Sequence, residues 1–308
     1  MSSISKLTSF IRDSAKELGF AECGIAPASF LSADAPRLDQ WLQLGQNAEM
    51  AYMENHHDKR LDPRLLVDGA KSVIVFLYNY FPGEWLKEDS SYLISSYAYG
   101  NDYHDVIRGK LTCIIENLRI RVPGISIRGF VDSAPVLERA WATRAGLGWI
   151  GKNSMLISRK KGSFFFLAEL ITNLELEYDQ PFGGDYCGDC SRCMDACPTQ
   201  AIVSPRTVDA GRCISYLTIE NKREIPADFK GKYEQWIFGC DICQKVCPWN
   251  KYSTPNDEPG FSPSGDLKKM ESQDWESLDQ DSFNHLFRRS PIKRAKFAGL
   301  RRNIEFLK

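Results

Sequence analysis

Eight of the ten cysteines lie between residues 187 and 247, and their spacing is that of an iron–sulfur protein. Cys187-x2-Cys190-x2-Cys193-x3-Cys197-Pro198 is the bacterial ferredoxin run. In it three thiolates converge from one tight loop, and the fourth ligates the other cluster when two are present. Cys240-x2-Cys243-x3-Cys247-Pro248 repeats the last three positions, with Ile237 where the first cysteine would stand. Cys213, in the connecting segment, is the replacement. Crossover then predicts one [4Fe–4S] cluster on Cys187, Cys190, Cys193 and Cys247, and a second on Cys197, Cys213, Cys240 and Cys243. Zinc also takes C-x2-C pairs, but it does not explain a 2-2-3 run closed by proline, nor why the motif occurs twice. Cys23 and Cys113 sit in apolar contexts and read as inert core thiols. Two adjacent clusters make an electron relay, so the rest of the chain must hold a reaction centre or a docking surface.

The elements that would position such a relay belong to an ordinary globular chain. Of its 308 residues 43% are hydrophobic and 26% charged, which argues against disorder, collagen-like structure and coiled coil. The formal charge of −1 gives no global field for nucleic acid, so any such contact must be a local patch. Charge or proline interrupts every apolar run, so no membrane span is expected. No secretory signal opens the chain, where Met1–Phe20 reads as an amphipathic helix. A cytoplasmic location follows, in which clustered cysteines bind metal more often than they form disulfides.

Ser72–Tyr80 and Ile125–Val131 read as strands, and Tyr103–Arg121 as a helix stopped by Pro123. A further helix covers Val136–Ala145 and ends at Gly146. Ser154–Ser158 and Ser163–Thr172 flank Lys160-Lys161-Gly162 and suggest a hairpin. The fold class is α+β and not a doubly wound parallel sheet: an N-terminal α/β layer over residues 1–180, a cluster domain over 181–250, and a basic helical segment over 251–308.

Several residues outside the cysteine framework have competing readings. Asp132 follows a strand and precedes a helix, where an aspartate ordinarily caps. Asp102-x-His104 begins like a D-x-H-x-x-G cobalt-ligating pattern, but Ile107 stands where the glycine belongs. Gly146, Gly148 and Gly151 have the G-x-G-x-x-G spacing, yet they follow a helix and precede a strand, the reverse of a dinucleotide fingerprint. They permit close backbone approach to a planar cofactor or, more plainly, form a helix stop and a turn. Arg288, Arg289, Lys293, Arg294, Lys296, Arg301 and Arg302 concentrate charge within residues 288–308, either as a solvated helix face or as phosphate contacts.

Five features together resemble the epoxyqueuosine reductases, cobalamin-dependent iron–sulfur enzymes of tRNA modification. They are Tyr97 to His104 (YAYGNDYH), Val131 to Glu138 (VDSAPVLE), Gly146 to Asn153 (GLGWIGKN), Ser290 to Lys296 (SPIKRAK) and the cysteine framework. The resemblance implies reduction of epoxyqueuosine to queuosine at the tRNA wobble position, with low-valent cobalamin attacking the epoxide. It implies Asp132 as proton donor, its pKa raised by desolvation, with Tyr103 and His104 beside it. It further implies cobalamin held by Asp132, Asn153, Ser154, Ser215, Asp241 and Asn55 without a histidine on cobalt, although Asn55 stands where relatives often carry a basic residue. Lys293, Arg294, Lys296, Arg301 and Arg302 become tRNA contacts, the more so because many relatives add a helical-repeat extension. An unidentified electron donor feeds the clusters, and no membrane is involved. The rival readings are a corrinoid reductive dehalogenase and a non-catalytic two-cluster electron carrier.

Overall fold

The computed structural model describes residues 2–86 and 92–308. Helix α1 (Ser3–Glu17) starts where the Ser2 side chain accepts the Ser5 N–H, and turns Ile11 and Ala15 inward. Met1, part of the expected N-terminal helix, lies outside the described residues. Strand β1 (Glu22–Pro27), short helices α2 (Ala35–Gln43) and α3 (His57–Leu61), and strand β2 (Ser72–Asn79) follow. After β3 (Leu93–Ile94), helix α4 (Tyr103–Arg121) begins at Asp102, whose carboxylate accepts the His104 N–H. Then come β4 (Ile127–Phe130), α5 (Glu138–Arg144), β5 (Trp149–Ile150), β6 (Leu156–Ile157) and β7 (Phe165–Thr172).

Four of these strands form one antiparallel sheet in the order β1-β2-β7-β4. Alternation along β2 sends Ile74 and Phe76 to one face, against Ile107, Leu111, Ile114 and Leu118 of α4. Val73, Val75 and Leu77 go to the other, against Leu38 of α2 and Trp141 of α5. Both faces of β2 are therefore covered, which explains why it reads as a continuous apolar run although its pairing is antiparallel. The expected hairpin about Gly162 does not form. β6 pairs back onto β5, with Trp149 opposite Ile157, while β7 inserts between β2 and β4. Only an isolated bridge, Ser158 to Gly162, remains of it. Leu167 and Ile171 find buried partners in the sheet that a two-stranded ribbon would not supply.

The cysteine-bearing segment contains α6 (Arg192–Asp195), β8 (Ile202–Ser204), β9 (Thr207–Val208), α7 (Ile214–Ile219), β10 (Trp236–Phe238) and α8 (Ile242–Lys245). β10 runs parallel to β3, and Asn303, on the last helix, bonds the Ile237 carbonyl. The C-terminal helices α9 (Gly265–Lys269), α10 (Ser272–Ser277), α11 (Gln280–Leu286) and α12 (Lys296–Leu307) bury Leu267, Trp275, Phe283 and Ile304 in a core shared with Tyr92, Ile94 and Phe238. The three stretches of chain thus share side-chain cores. Among the described residues no helix is long and apolar enough to cross a membrane.

Candidate active site and cluster centres

Asp132 lies just past the end of β4, at φ +52°, a left-handed conformation unusual for a non-glycine residue. Its N–H donates to Glu138 Oε1 at 2.7 Å, which ties the turn to the first turn of α5. Asp132 is not the cap of that helix, whose N-cap is Leu137. Its carboxyl instead turns away, half exposed, and Tyr103 donates its hydroxyl to Oδ2 at 2.5 Å. The Tyr103 ring is fixed between Phe166, stacked at 4.1 Å between centroids, and His104 at 4.2 Å. Burial and the Asp132 charge push the Tyr103 phenol far above its ordinary pKa, so it remains a donor. Burial opposes ionisation of Asp102, yet hydrogen bonds from His104 hold its carboxyl below the usual range. The ionised Asp102 therefore accepts the His104 Nδ1–H at 2.7 Å, and Nε2 faces Asp132 Oδ2 at 3.7 Å. Tyr103 and His104 both reach the acid, each through the start of α4.

Behind Asp132 stand two carboxyls to which sequence reasoning gave no role. Burial, then the Asp132 charge, raise the pKa of Glu138 to about 8. Glu169, at the centre of β7, is 0% exposed, and neither of its carboxylate oxygens has a hydrogen-bond partner. A single acid inside FFLAELIT was the legible signal, because a buried charge in an apolar strand is the informative exception.

A hydrogen-bonded frame joins the acid to the cysteines. Arg139, next to Glu138, donates to the Ser154 carbonyl, and Asn153 donates through Nδ2 to the Cys243 carbonyl at 3.1 Å. Ser154 itself is at φ +63°, with its hydroxyl buried and unpartnered, as is the Ser96 hydroxyl. Such orphaned groups along the frame suit the amide-bearing edge of a corrin, which would satisfy them. The Asp241 carboxylate, 2% exposed, is already engaged: it accepts from the Ser95 hydroxyl and from the Ser96 N–H. It locks β10 and the cysteine loop to residues 95–96. Ser215 lies in the first turn of α7, its N–H directed at the Cys213 thiol. Asn55 is exposed in the loop before α3. The glycines of the 146–151 segment meet protein rather than open space. A Cβ on Gly148 would lie 2.1 Å from the Ile157 carbonyl oxygen, and one on Gly146 2.7 Å from that of Gln180. The close approach they permit is that of β6 to β5 and of the 180 segment to the end of α5.

The eight cysteines of residues 187–247 gather into neighbouring groups. Cys193 lies within electrostatic reach of Cys247, Cys187 and Cys190, and Cys247 within reach of Cys187 and Cys190. Cys243 is influenced by Cys213, Cys197 and Cys193, and Cys240 by Cys243 and Cys213. Burial is the first cause of the raised thiol pKa at each of these sites, and ligation by iron would offset it. Among the described residues no three His, Cys, Asp or Glu side chains surround a single-ion position, whereas a cubane takes one thiolate at each iron. The Ala201 N–H donates to Cys197 Sγ at 3.2 Å and the Trp149 indole to Cys187 Sγ at 3.5 Å. A cleft of about 890 Å³ beside Cys247 is lined by Phe81, Trp85, Arg192 and Lys251, and it contains none of the Asp132 group. Cys113 is exposed on α4 and is not the core thiol expected; Cys23 is half-buried beneath α1.

The basic segment divides in two. Lys293, Arg294 and Lys296 are exposed, and Arg294 pairs with Glu220 while feeling the charge of Asp132. Arg302 is instead built into the fold, donating to the carbonyls of Leu217, Asn221 and Arg223. Arg301 donates to the Glu276 carbonyl and pairs with Glu305. Both guanidiniums thus help α12 pack on α7 and α10.

Comparison with known proteins agrees with this layout. A family model described as a 4Fe-4S double cluster binding domain matches residues 186–250, and one described as epoxyqueuosine reductase QueG matches residues 60–133. The epoxyqueuosine reductase of Cellulophaga algicola is 55% identical over 308 residues, covering 100% of both chains. That of Pseudomonas aeruginosa is 41% identical, covering 97% of this chain and 84% of its own. A crystal structure of selenomethionine-labelled epoxyqueuosine reductase superposes with a TM-score of 0.90 at 32% identity, covering 98% of this chain and 81% of that one. An epoxyqueuosine reductase bound to an epoxyqueuosine-modified tRNA-Tyr stem loop gives the same TM-score at 31% identity, covering 98% and 80%.

Proposed function

The chain belongs to the epoxyqueuosine reductase family, and on that premise we propose that it reduces epoxyqueuosine in the wobble position of tRNA to queuosine. The observation that carries the reading is the half-exposed Asp132 carboxyl, gripped by Tyr103 and His104 and joined through Arg139, Ser154 and Asn153 to the backbone of a cluster cysteine. Cobalamin bound along that frame would supply the strongly reducing nucleophile for epoxide opening, with electrons from the two [4Fe–4S] clusters. Ser154 and Ser96 are the residues whose free hydroxyls would hold it. Histidine is not the cobalt ligand in this reading, since the two His104 nitrogens face Asp102 and Asp132.

The protein's own part is proton transfer. Asp132 donates a proton to the oxygen leaving carbon. Tyr103 holds the carboxyl oriented and stabilises the anion that results, while His104, fixed in one orientation by Asp102, bounds the site on the other side. Lys293, Arg294 and Lys296, on the segment that packs against the start of α4, offer cations to the phosphates of an anticodon stem-loop. The electron donor is a separate cytoplasmic reductant. A dehalogenase or a non-catalytic carrier is not favoured, because the full-length relatives are epoxyqueuosine reductases.

Anaerobic reconstitution with iron, sulfide and cobalamin, followed by nucleoside analysis of treated tRNA, tests the proposal. Queuosine is expected from the wild type. Asp132→Asn should lose about 10²–10⁴-fold in turnover with iron content and stem-loop binding intact. Absence of queuosine under strong reductant would refute the reaction, and full activity in Asp132→Asn would refute the acid.

A further inference from the structure

The potential of an iron–sulfur cluster depends on the dipoles aimed at its sulfurs. A hydrogen bond to a ligating thiolate favours the more negative, reduced state, and most strongly where water is excluded. The ferredoxin loops supply part of this from their own backbone: the Ala201 N–H that donates to Cys197 Sγ comes from four residues away. The donor to Cys187 Sγ is of another kind. It is a side-chain N–H, the Trp149 indole, from 38 residues upstream and outside the cysteine segment.

The surroundings of Trp149 hold that contact in place. Its side chain is buried and enclosed by Phe182, Tyr186 and Trp249, with ring centroids at 5.7, 5.3 and 5.0 Å. Its backbone is fixed in β5 opposite Ile157, where the glycine at 148 lets β6 approach. Bonds from the same segment fix the cysteine loop. Lys152 donates to the Gly188 carbonyl at 2.7 Å. Arg206 donates to the Ile150 carbonyl at 3.1 Å and pairs with Asp185, whose carboxylate accepts the Cys187 N–H at 2.9 Å. None of these bonds uses the indole nitrogen, so Trp149 and Cys187 are held in register independently of the N–H···S contact. A buried indole N–H needs an acceptor, and Cys187 Sγ at 3.5 Å is the one it meets. Trp249 places the same ring in the same cage, but its N–H goes to the Tyr186 carbonyl at 3.2 Å.

We propose that Trp149 is a tuning residue for the cluster that Cys187 ligates, its indole N–H raising the reduction potential of that centre. Reduction adds one electron to the cluster, and part of the added charge falls on the ligating sulfurs. The indole dipole stabilises that charge without reorienting, because cage and backbone have already fixed it. Asn153, four residues on, donates to the Cys243 carbonyl. One short segment thus meets both cysteine loops but treats them differently, through a sulfur in one and a backbone oxygen in the other. The inference rests on the two clusters and not on the epoxide chemistry.

Redox titration of the iron- and sulfide-reconstituted protein with dithionite, followed by electron paramagnetic resonance without cobalamin or tRNA, tests it. Trp149→Phe keeps a ring in the cage and removes the donor. With iron content at the wild-type level, one of the two midpoint potentials should fall, by about tenfold in the reduction equilibrium constant or about 59 mV for one electron. The other should stay. Trp249→Phe, the same truncation in the same cage with a different acceptor, should move neither. Unchanged potentials in Trp149→Phe, or an equal fall in Trp249→Phe, would overturn the assignment. Should Trp149→Phe load less iron, the wild type decides. With nitrogen-15 in the tryptophan indoles, pulsed resonance of the reduced protein should show a nitrogen-15 coupling that persists in Trp249→Phe. No coupling, or one lost in Trp249→Phe, would overturn the inference. Failure to form queuosine would refute the proposed reaction and leave this result standing.

Discussion

Replacement of Glu169 by methionine should make the protein more stable. Glu169 is wholly buried between Val75 and Phe130, on the face of β7 shared with Leu167 and Ile171, with both oxygens unpartnered. An unsatisfied buried polar group costs about 1–3 kcal/mol, and methionine fills a similar volume without one. Burial also holds the native pKa of Glu169 well above its ordinary value of 4.5. Between that value and its native titration the folded protein binds a proton that the unfolded chain has released. The contribution of Glu169 to stability is therefore fullest below pH 4.5 and declines as pH rises, by about 1.4 kcal/mol per unit. Glu169→Met removes that slope. The gain should be about 2 kcal/mol near pH 5, or about 3 °C in melting temperature at about 2.1 cal/mol/K per residue. It should widen at higher pH until Glu169 titrates. Melts of cluster-loaded wild type and variant at pH 5, 6 and 7 measure both quantities. A lower melting temperature for the variant, or a difference that does not grow with pH, would refute the reasoning.

Cys243→Ser should reduce bound iron to about half, by loss of one cluster of two, whereas Cys113→Ser should leave it unchanged; iron and sulfide analysis after reconstitution distinguishes them. The paired variant Lys293→Ala/Lys296→Ala should fold normally and lower the salt dependence of stem-loop binding by about one to two charges. Arg302→Ala should leave that slope alone and destabilise the protein by about 2–3 kcal/mol, because the carbonyls of Leu217, Asn221 and Arg223 lose their donor. An Arg302→Ala protein as stable as wild type, with a reduced salt slope, would reverse the assignment.

The cluster-type spacing of Cys187, Cys190 and Cys193, and of Cys240 and Cys243, was legible in the sequence, since thiolates within a few residues of one another occupy one loop whatever surrounds them, whereas the crossed assignment of Cys197, Cys213 and Cys247 joins distant segments and rests on the ferredoxin pattern. The bounds of α4 were legible for a similar reason: Asp102 caps locally, and Pro123 forbids continuation. Strand pairing was not. Ser154–Ser158 and Ser163–Thr172 look like a hairpin, and only the offer of β5 to β6, and of β2 and β4 to β7, separates them. Side chains with several possible partners followed the same rule. The carbonyls of α7 that Arg302 meets, the Ser95 and Ser96 donors of Asp241, and the Tyr103 hydroxyl on Asp132 all come from distant segments. Geometry set by neighbours in the chain can be read from spacing, but the partner of a carboxylate or a strand edge is chosen by whatever folding brings beside it.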